Sequence, residues 1–283
     1  MKKRAVFLYV VCVFITSLSL AQEKPSGLTV QKVADRLYLV TGGAGANTGF
    51  YTGSKEVIVI DAKMTPESAK AMLAAIANVS QKPVTTIILT HSDRDHVGGL
   101  SGMPEGVRII AHANSRIHME EAAVPQSHLP SLAFTDSLTL YTDNMPIKLL
   151  YFGPAHTNGD VVVFFPALRT AFVGDLLFFG RDPLIHLAKH GTSFGLINVL
   201  QSLLLLDADT FISGHAEPVT KKEIRELMVG IQEKQERVRG LIREGKTLAE
   251  VKQAFGIDDT PAKPGTMKFP SLAEVIYTEL CRK

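Results

Sequence analysis

Apolar positions along this chain recur with two different periods, and the switching between them lays out the elements. Leu28 to Val40, Thr48 to Thr52 and Glu56 to Asp61 have strand spacing and are separated by Gly42-Gly43-Ala44-Gly45 and Gly53-Ser54, so three strands are predicted there. Thr65-Pro66 then offers an N-cap followed by a proline at the first helical position, and Ala69, Met72, Leu73, Ile76 and Val79 follow at helical spacing. Thr85 to Thr90 is a short apolar strand that ends at His91. Arg108 to Ala111 is another strand, leading into a helix that should run through Glu121. Ala122 to Leu132 carries Pro125 and Pro130 with little periodicity, which predicts a loop able to shape access to a site.

Strands resume at Ser137 to Tyr141, Ile147 to Phe152, Asp160 to Phe165 and Thr170 to Gly174. A loop with Gly180 and Pro183 precedes a helix through Leu206, and Thr210 to Ser213 is a last strand ending at Gly214-His215. From Thr220 onward Ile224, Leu227, Met228, Ile231, Val238, Leu241 and Ile242 form one helical stripe. Gly245 can end that helix, and Thr247-Leu248-Ala249-Glu250 is a capping box that opens the next. Two runs of strands, each followed by helix, predict an α/β (α+β) chain layered as αββα. We expect a single domain over residues 22–283, with its core over about 28–218 and terminal helices over 220–282.

The first residues do not fit that scheme. Lys2-Lys3-Arg4, an apolar run from Ala5 to Thr16 and small residues at Ser19 and Ala21 read as a secretory signal peptide over 1–21, cut before Gln22. The run is shorter than the roughly 20 residues that span a bilayer, which argues against an uncleaved anchor. Of the 30 basic residues the leader holds three and of the 28 acidic residues none, so the mature chain balances 27 against 28. Nothing in that charge calls for nucleic acid, and the expected partner is a small-molecule substrate, with no stable membrane insertion once the leader is gone. Cys12 leaves with the leader and Cys281 remains alone, so neither an intramolecular disulfide nor a cysteine metal cluster is available. The expected location is periplasmic or secreted.

The sharpest chemical signal is His91-Ser92-Asp93-Arg94-Asp95-His96, directly after an apolar strand. In an extended chain alternate side chains point the same way, so His91, Asp93 and Asp95 could converge on one point and His96 on a second. Imidazole and carboxylate are donors that zinc accepts, but this segment alone cannot complete two metal shells. His156, Asp175 and His215 each lie at the C-terminal end of an apolar strand, where loops collect and active sites sit. One such residue would ordinarily be a turn residue. Their combination points to a metal site.

The order H-x-D-x-D-H, then Gly153-Pro154-Ala155-His156-Thr157, then Gly174-Asp175, then Gly214-His215 resembles the metallo-β-lactamase superfamily, whose usual first motif is HxHxDH. The resemblance runs from about Leu28 to Pro218 and implies a four-layer αββα sandwich. It also implies one metal held by His91, Asp93 and His156, a second held by Asp95, His96 and His215, and Asp175 as the bridge between them. Asp61, which closes Val57-Ile58-Val59-Ile60-Asp61, is similar to the aspartate that steadies the ligand loop in that family. Asp93 departs from the family's usual His, and Asp175 stands where true β-lactamases have Cys or Ser, as in glyoxalase II and lactonases.

These likenesses imply a hydrolase, exported by its leader, that cuts an ester, thioester, lactone or amide bond, β-lactams included, through a metal-bound hydroxide. Two divalent ions are expected, zinc first, with iron or manganese as the alternatives that Asp93 introduces. Asp95 is expected to orient the nucleophile. An iron-dependent, oxygen-using enzyme and a non-catalytic periplasmic binding protein with a degenerate site are the rival readings. His112, His118, His128, His186 and His190 are expected in surface or supporting roles, and Arg181, Lys189 and His190 are candidates to hold a substrate carboxylate. The Gly42 to Gly45 stretch opens no helix and lacks a Walker lysine, so it is not a phosphate cradle.

Overall fold

A computed structural model describes residues 27–258, 260 and 269–282, so the predicted leader over 1–21, with Cys12 and the cut before Gln22, lies outside the described residues. The first half of the chain contains β1 (Thr29–Ala34), β2 (Leu37–Thr41), β3 (Thr48–Thr52), β4 (Val57–Ile60), α1 (Pro66–Ala77), β5 (Val84–Ile88), α2 (Arg94–Val97), β6 (Arg108–His112), α3 (Ala113–Glu121) and β7 (Leu132–Phe134). The second half contains β8 (Ser137–Thr142), β9 (Met145–Leu150), β10 (Val162–Phe165), β11 (Thr170–Gly174), α4 (Ser193–Leu205), β12 (Thr210–Ser213), α5 (Lys221–Arg243), α6 (Leu248–Ala254) and α7 (Leu272–Cys281). Seven strands form one sheet in sequence order from β1 to β7, and five form another in the order β12-β11-β10-β9-β8.

Period-2 alternation explains how the two sheets make four layers. On β2, β4 and β10 the residues Leu37, Leu39, Ile58, Ile60, Val163 and Phe165 face a core between the sheets. Their neighbours Val40, Val57 and Val59 face Met72 and Ile76 of α1 on the outside of the first sheet. On the second sheet Val162, Phe164, Ala171 and Val173 face Leu196, Leu200 and Leu203 of α4, with α5 and α7 in the same core. The central strands β3, β4, β10 and β11 are thus buried on both faces, which is why the sequence reads as near-continuous apolar runs there. The result is the expected αββα sandwich.

Two expectations about elements change. The stretch from Leu28 to Val40 is two strands, because Arg36 takes a left-handed conformation at φ 56° and turns the chain into a β1–β2 hairpin. A left-handed non-glycine residue leaves no Gly or Pro to mark the break. Within the expected loop after Ala122, Leu132 begins a three-residue strand, β7, that pairs parallel to β6.

What this fold does for function is to align strand ends. β4 and β5 run parallel with Ile60 opposite Ile88, so Asp61 and Thr90 emerge side by side. β11 and β12 are also parallel, with Gly174 opposite Ser213, so Asp175 and His215 emerge together from the other sheet. Among the described residues no helix is long and apolar enough to cross a membrane.

Candidate metal centre

Seven side chains from the two sheets meet at these strand ends. His91 and Asp93 come from the loop after β5, Asp95 and His96 from α2, His156 from the β9–β10 connection, Asp175 from the end of β11 and His215 from the end of β12. They fall into two groups, His91 with Asp93 and His156, and Asp95 with His96, Asp175 and His215, whose donor atoms lie within 4.8 Å of one another. Simple alternation had placed Asp95 with His91 and Asp93. That pairing fails because the helix already begins at Arg94, which swings Asp95 towards His215, at 3.0 Å between Oδ2 and Nε2.

Asp93 occupies the N-cap position of α2 but makes no side-chain capping bond. Its carboxylate faces elsewhere: Oδ2 is 3.1 Å from His156 Nε2 and 3.8 Å from His91 Nε2. A turn-capping role is therefore excluded. Asp175 places Oδ1 3.1 Å from His96 Nε2 and Oδ2 3.2 Å from His215 Nε2. The rings of His91 and His96 lie 4.1 Å apart between centroids, and those of His91 and His156 4.8 Å.

The hydrogen bonds behind the imidazoles decide which nitrogen is left for a ligand. His96 Nδ1 donates to Asp61 Oδ2 at 2.8 Å, and His156 Nδ1 donates to Leu184 O at 2.9 Å. The Thr90 hydroxyl donates to Asp61 Oδ2 at 2.8 Å, so it accepts from His91 Nδ1 at 3.1 Å. With Nδ1 engaged as the donor in all three rings, Nε2 is the nitrogen turned to the centre, the arrangement that metal-binding histidines adopt. His91 Nε2, His96 Nε2 and Asp175 Oδ1 are buried without any hydrogen-bond partner. Buried polar atoms are ordinarily paired. Three orphans aimed into one cluster of N and O donors fit divalent metal ions.

The electrostatics of the cluster are those of charges pressed together. Burial and the nearby His96 keep His91 well below the usual imidazole range. Burial opposes charge on His96 too, yet Asp175 and Asp61 raise it well above that range. Burial likewise opposes charge on His156, but the Asp93 hydrogen bond and the surrounding carboxylates raise it to about 9. Asp175 and Asp95 raise His215 to about 9. Burial works against ionised Asp93 and Asp175, but their histidine neighbours hold both well below the usual carboxylate range.

Several supporting residues carry no signal in the sequence. Thr90 also donates its backbone N–H to Asp61 Oδ1 at 2.8 Å, which locks the aspartate to the strand end beside it. Asn47 ties the 41–47 loop to the His215 loop through Ser213 O at 3.2 Å and Ala216 O at 2.9 Å. Buried Lys63, itself at φ 66°, donates to Gly42 O and Ala46 O, each at 2.8 Å, and so fixes the glycine-rich turn. Lys189 was a candidate for a substrate carboxylate. Its ammonium is instead engaged with Asp93 Oδ1 at 2.6 Å, Ser92 Oγ at 3.0 Å and Ser92 O at 3.1 Å.

Two of the remaining histidines are supports. His112 stacks on Tyr151 and bonds Thr135 O, while His118 bonds Asn158 Oδ1 at 2.7 Å. Two open spaces flank the centre. One, of about 420 Å³, lies directly over His215 and is lined by Thr41, Gly45, Asn47, Gly214 and Ala216. The other, of about 440 Å³ and largely apolar, lies behind Ser92 and Lys189 against Val97, Leu100 and Met119, and reaches none of the seven clustered residues.

With this geometry in view, the sequence model of the metallo-beta-lactamase superfamily matches residues 41–215. The chain is 28% identical over 199 residues to the 2,4-dinitroanisole O-demethylase subunit alpha of Nocardioides sp. (strain JS1661), covering 69% of this chain and 60% of that protein. It is 24% identical to a metallo-beta-lactamase type 2 of Bacteroides fragilis, over 53% of this chain and 63% of that one. The chain therefore spans about 60% of the length of these relatives. Solved structures of a metallo-beta-lactamase from Pontibacter korlensis (TM-score 0.66, 18% identity, 72% of this chain and 99% of that chain) and one from Erythrobacter litoralis (TM-score 0.62, 22% identity, 73% and 97%) share the fold.

Proposed function

Because the chain belongs to the metallo-beta-lactamase superfamily, we propose that it is an exported hydrolase that cuts an ester, thioester, lactone or amide bond of a small molecule at a centre of two divalent ions. The observation that carries this reading is the pair of donor groups, each with its donor atoms within 4.8 Å of one another, to which three unpartnered buried atoms belong. When bound, zinc supplies a Lewis acid and lowers the pKa of water from 15.7 to roughly 7.

His91, Asp93 and His156 would hold one ion, and Asp95, His96 and His215 the other. Asp175, whose oxygens face His96 and His215, would be the bridge between them, as the likeness of Gly174-Asp175 to the family motif implies. Asp95 is partly exposed and touches His215, so it can orient the attacking water and take its proton. Asp61 and Thr90 hold His91 and His96 still, and the space over His215 admits the substrate. Export rests on the leader pattern of Lys2 to Ala21, and an intact mass of the secreted protein beginning at Gln22 would support it.

Asp175 in place of Cys or Ser favours esters, thioesters and lactones over β-lactams. The name of the O-demethylase relative adds an aryl ether to the range worth testing. The test is elemental analysis of protein purified without added metal, joined to a hydrolysis screen over these classes. Bound zinc with turnover of one class supports the reading, and a metal-free protein inert to all of them refutes it. The two-histidine, one-carboxylate set His91, Asp93 and His156 also suits iron. Purification with iron and oxygen uptake on a substrate would favour that second reading.

A further inference from the structure

We propose that Lys189 is a positioning residue for the first metal group. Its ammonium holds one oxygen of Asp93 and offsets that carboxylate's charge, so Asp93 offers an ion Oδ2 alone. The proposal rests on the metal-centre reading above and concerns what makes an aspartate workable at position 93.

The two oxygens of Asp93 have different partners. Oδ1 accepts from Lys189 Nζ at 2.6 Å, while Oδ2 faces His156 Nε2 at 3.1 Å and His91 Nε2 at 3.8 Å. Lys189 is saturated: an ammonium has three donors, and Ser92 O, Ser92 Oγ and Asp93 Oδ1 take all of them. It has no donor left for a substrate, and its three acceptors all belong to the loop that carries the ligands.

Its backbone is also tied to the other side of the group. His186 N donates to His156 O at 2.8 Å, Asn158 N to Lys189 O at 2.9 Å and Thr192 N to Ala155 O at 2.8 Å. A Cβ on Gly191 would lie 2.1 Å from His156 O, so the 186–192 segment sits flush on the His156 loop. Lys189 therefore spans from the loop of one ligand to the carboxylate of another.

The consequence is one of charge and denticity. Asp93 paired with Lys189 sums to zero, as a neutral imidazole at that position would. An unpaired Asp93 would add a negative charge and could bind through both oxygens, which raises the coordination number and suits oxygen-favouring ions such as manganese more than four-coordinate zinc. Lys189 should therefore keep the first group selective for zinc.

The experiment measures zinc and manganese dissociation constants by chelator competition for wild type, Lys189→Met, Lys189→Arg, Asp93→His and the Asp93→His/Lys189→Met pair. Thermal melts confirm that each variant is folded. The zinc-over-manganese preference should fall about ten-fold or more in Lys189→Met and hold in Lys189→Arg. With His at 93, the Lys189→Met change should no longer move it. An unchanged preference in Lys189→Met, or an equal shift in both backgrounds, overturns the proposal and leaves Lys189 a loop staple. If Lys189→Met does not fold, Lys189→Gln keeps donors for Ser92 without the charge and carries the same comparison. A wild type that binds neither ion overturns the metal-centre reading itself, and this proposal with it.

Discussion

At the scale of single residues, the centre depends as much on what is missing as on what is present. A Cβ added to Gly214 would stand 2.3 Å from Asp175 Oδ1 and 2.8 Å from His96 Cε1. Neither neighbour is a loose side-chain end: His96 is fixed by Asp61, and Asp175 is buried against both His96 and His215. Gly214→Ala should therefore leave a folded protein with depleted metal, read by elemental analysis of the purified variant. Asp175→Ala removes the carboxylate proposed to bridge the two groups, and its metal content should fall from about two ions per chain towards one, with a sharp loss of activity. If that variant keeps its full metal content and rate, Asp175 is not the bridge. The candidate ligands were legible because four of them sit within His91 to His96 and the others come after apolar strands. Lys189 was not, since it lies 96 residues from Asp93 and only the folded chain brings them together.

At the scale of elements, periodicity and end signals located most of the chain. Thr48–Thr52, Thr170–Gly174 and Thr210–Ser213 are strands with the predicted limits, and Thr65 and Thr247 cap their helices through side-chain bonds as expected. The misses share a cause, for they lie where a local signal is weak and tertiary context decides. Arg36 turns left-handed without a glycine, and β7 exists only because β6 offers it an edge. The turn between β2 and β3 is the functional counterpart, because its glycines permit the shape but Lys63 holds it. Burial lowers the Lys63 pKa to about 8, against 10.5 for the free side chain, despite the help of Asp61. Between these two values the unfolded chain keeps a proton that the folded chain has lost, so stability from this group rises with pH over that window. Below pH 8 both states are protonated and the fold bears the full cost of the buried charge. The stability of wild type relative to Lys63→Met should therefore rise from pH 8 to 10.5, by at most roughly 3 kcal/mol. Urea titrations of both proteins at the two ends of the window measure it. A constant difference would mean that the carbonyls of Gly42 and Ala46 keep the ammonium charged.

At the scale of the whole molecule, the metal groups and the core make the same connection by different means. The inter-sheet core joins Leu39, Ile58 and Ile60 of the first sheet to Leu149, Val163 and Phe172 of the second. The candidate centre joins them again at one rim, since His91, Asp93, Asp95 and His96 follow β5 while His156, Asp175 and His215 belong to the other sheet. Each ion would be held from both sides, with His156 opposite His91 and Asp93, and with Asp175 and His215 opposite Asp95 and His96. Ligands that exist as a set only when the two sheets are packed bind the folded state alone, so every ion bound is folding free energy. Free metal at a thousand times its dissociation constant contributes about 4 kcal/mol. For a chain of this size that corresponds to a rise of roughly 8–16 °C in melting temperature. Stripping the protein with a chelator should therefore lower Tm by that order while leaving the far-ultraviolet circular dichroism of the sandwich in place below the transition. Restoring zinc should recover it. The same comparison on Asp175→Ala should show a smaller shift, because that variant has lost the carboxylate proposed to bridge the two groups. Equal Tm values for stripped and loaded wild type would mean that the sheets are held by their core alone and that no ion spans them.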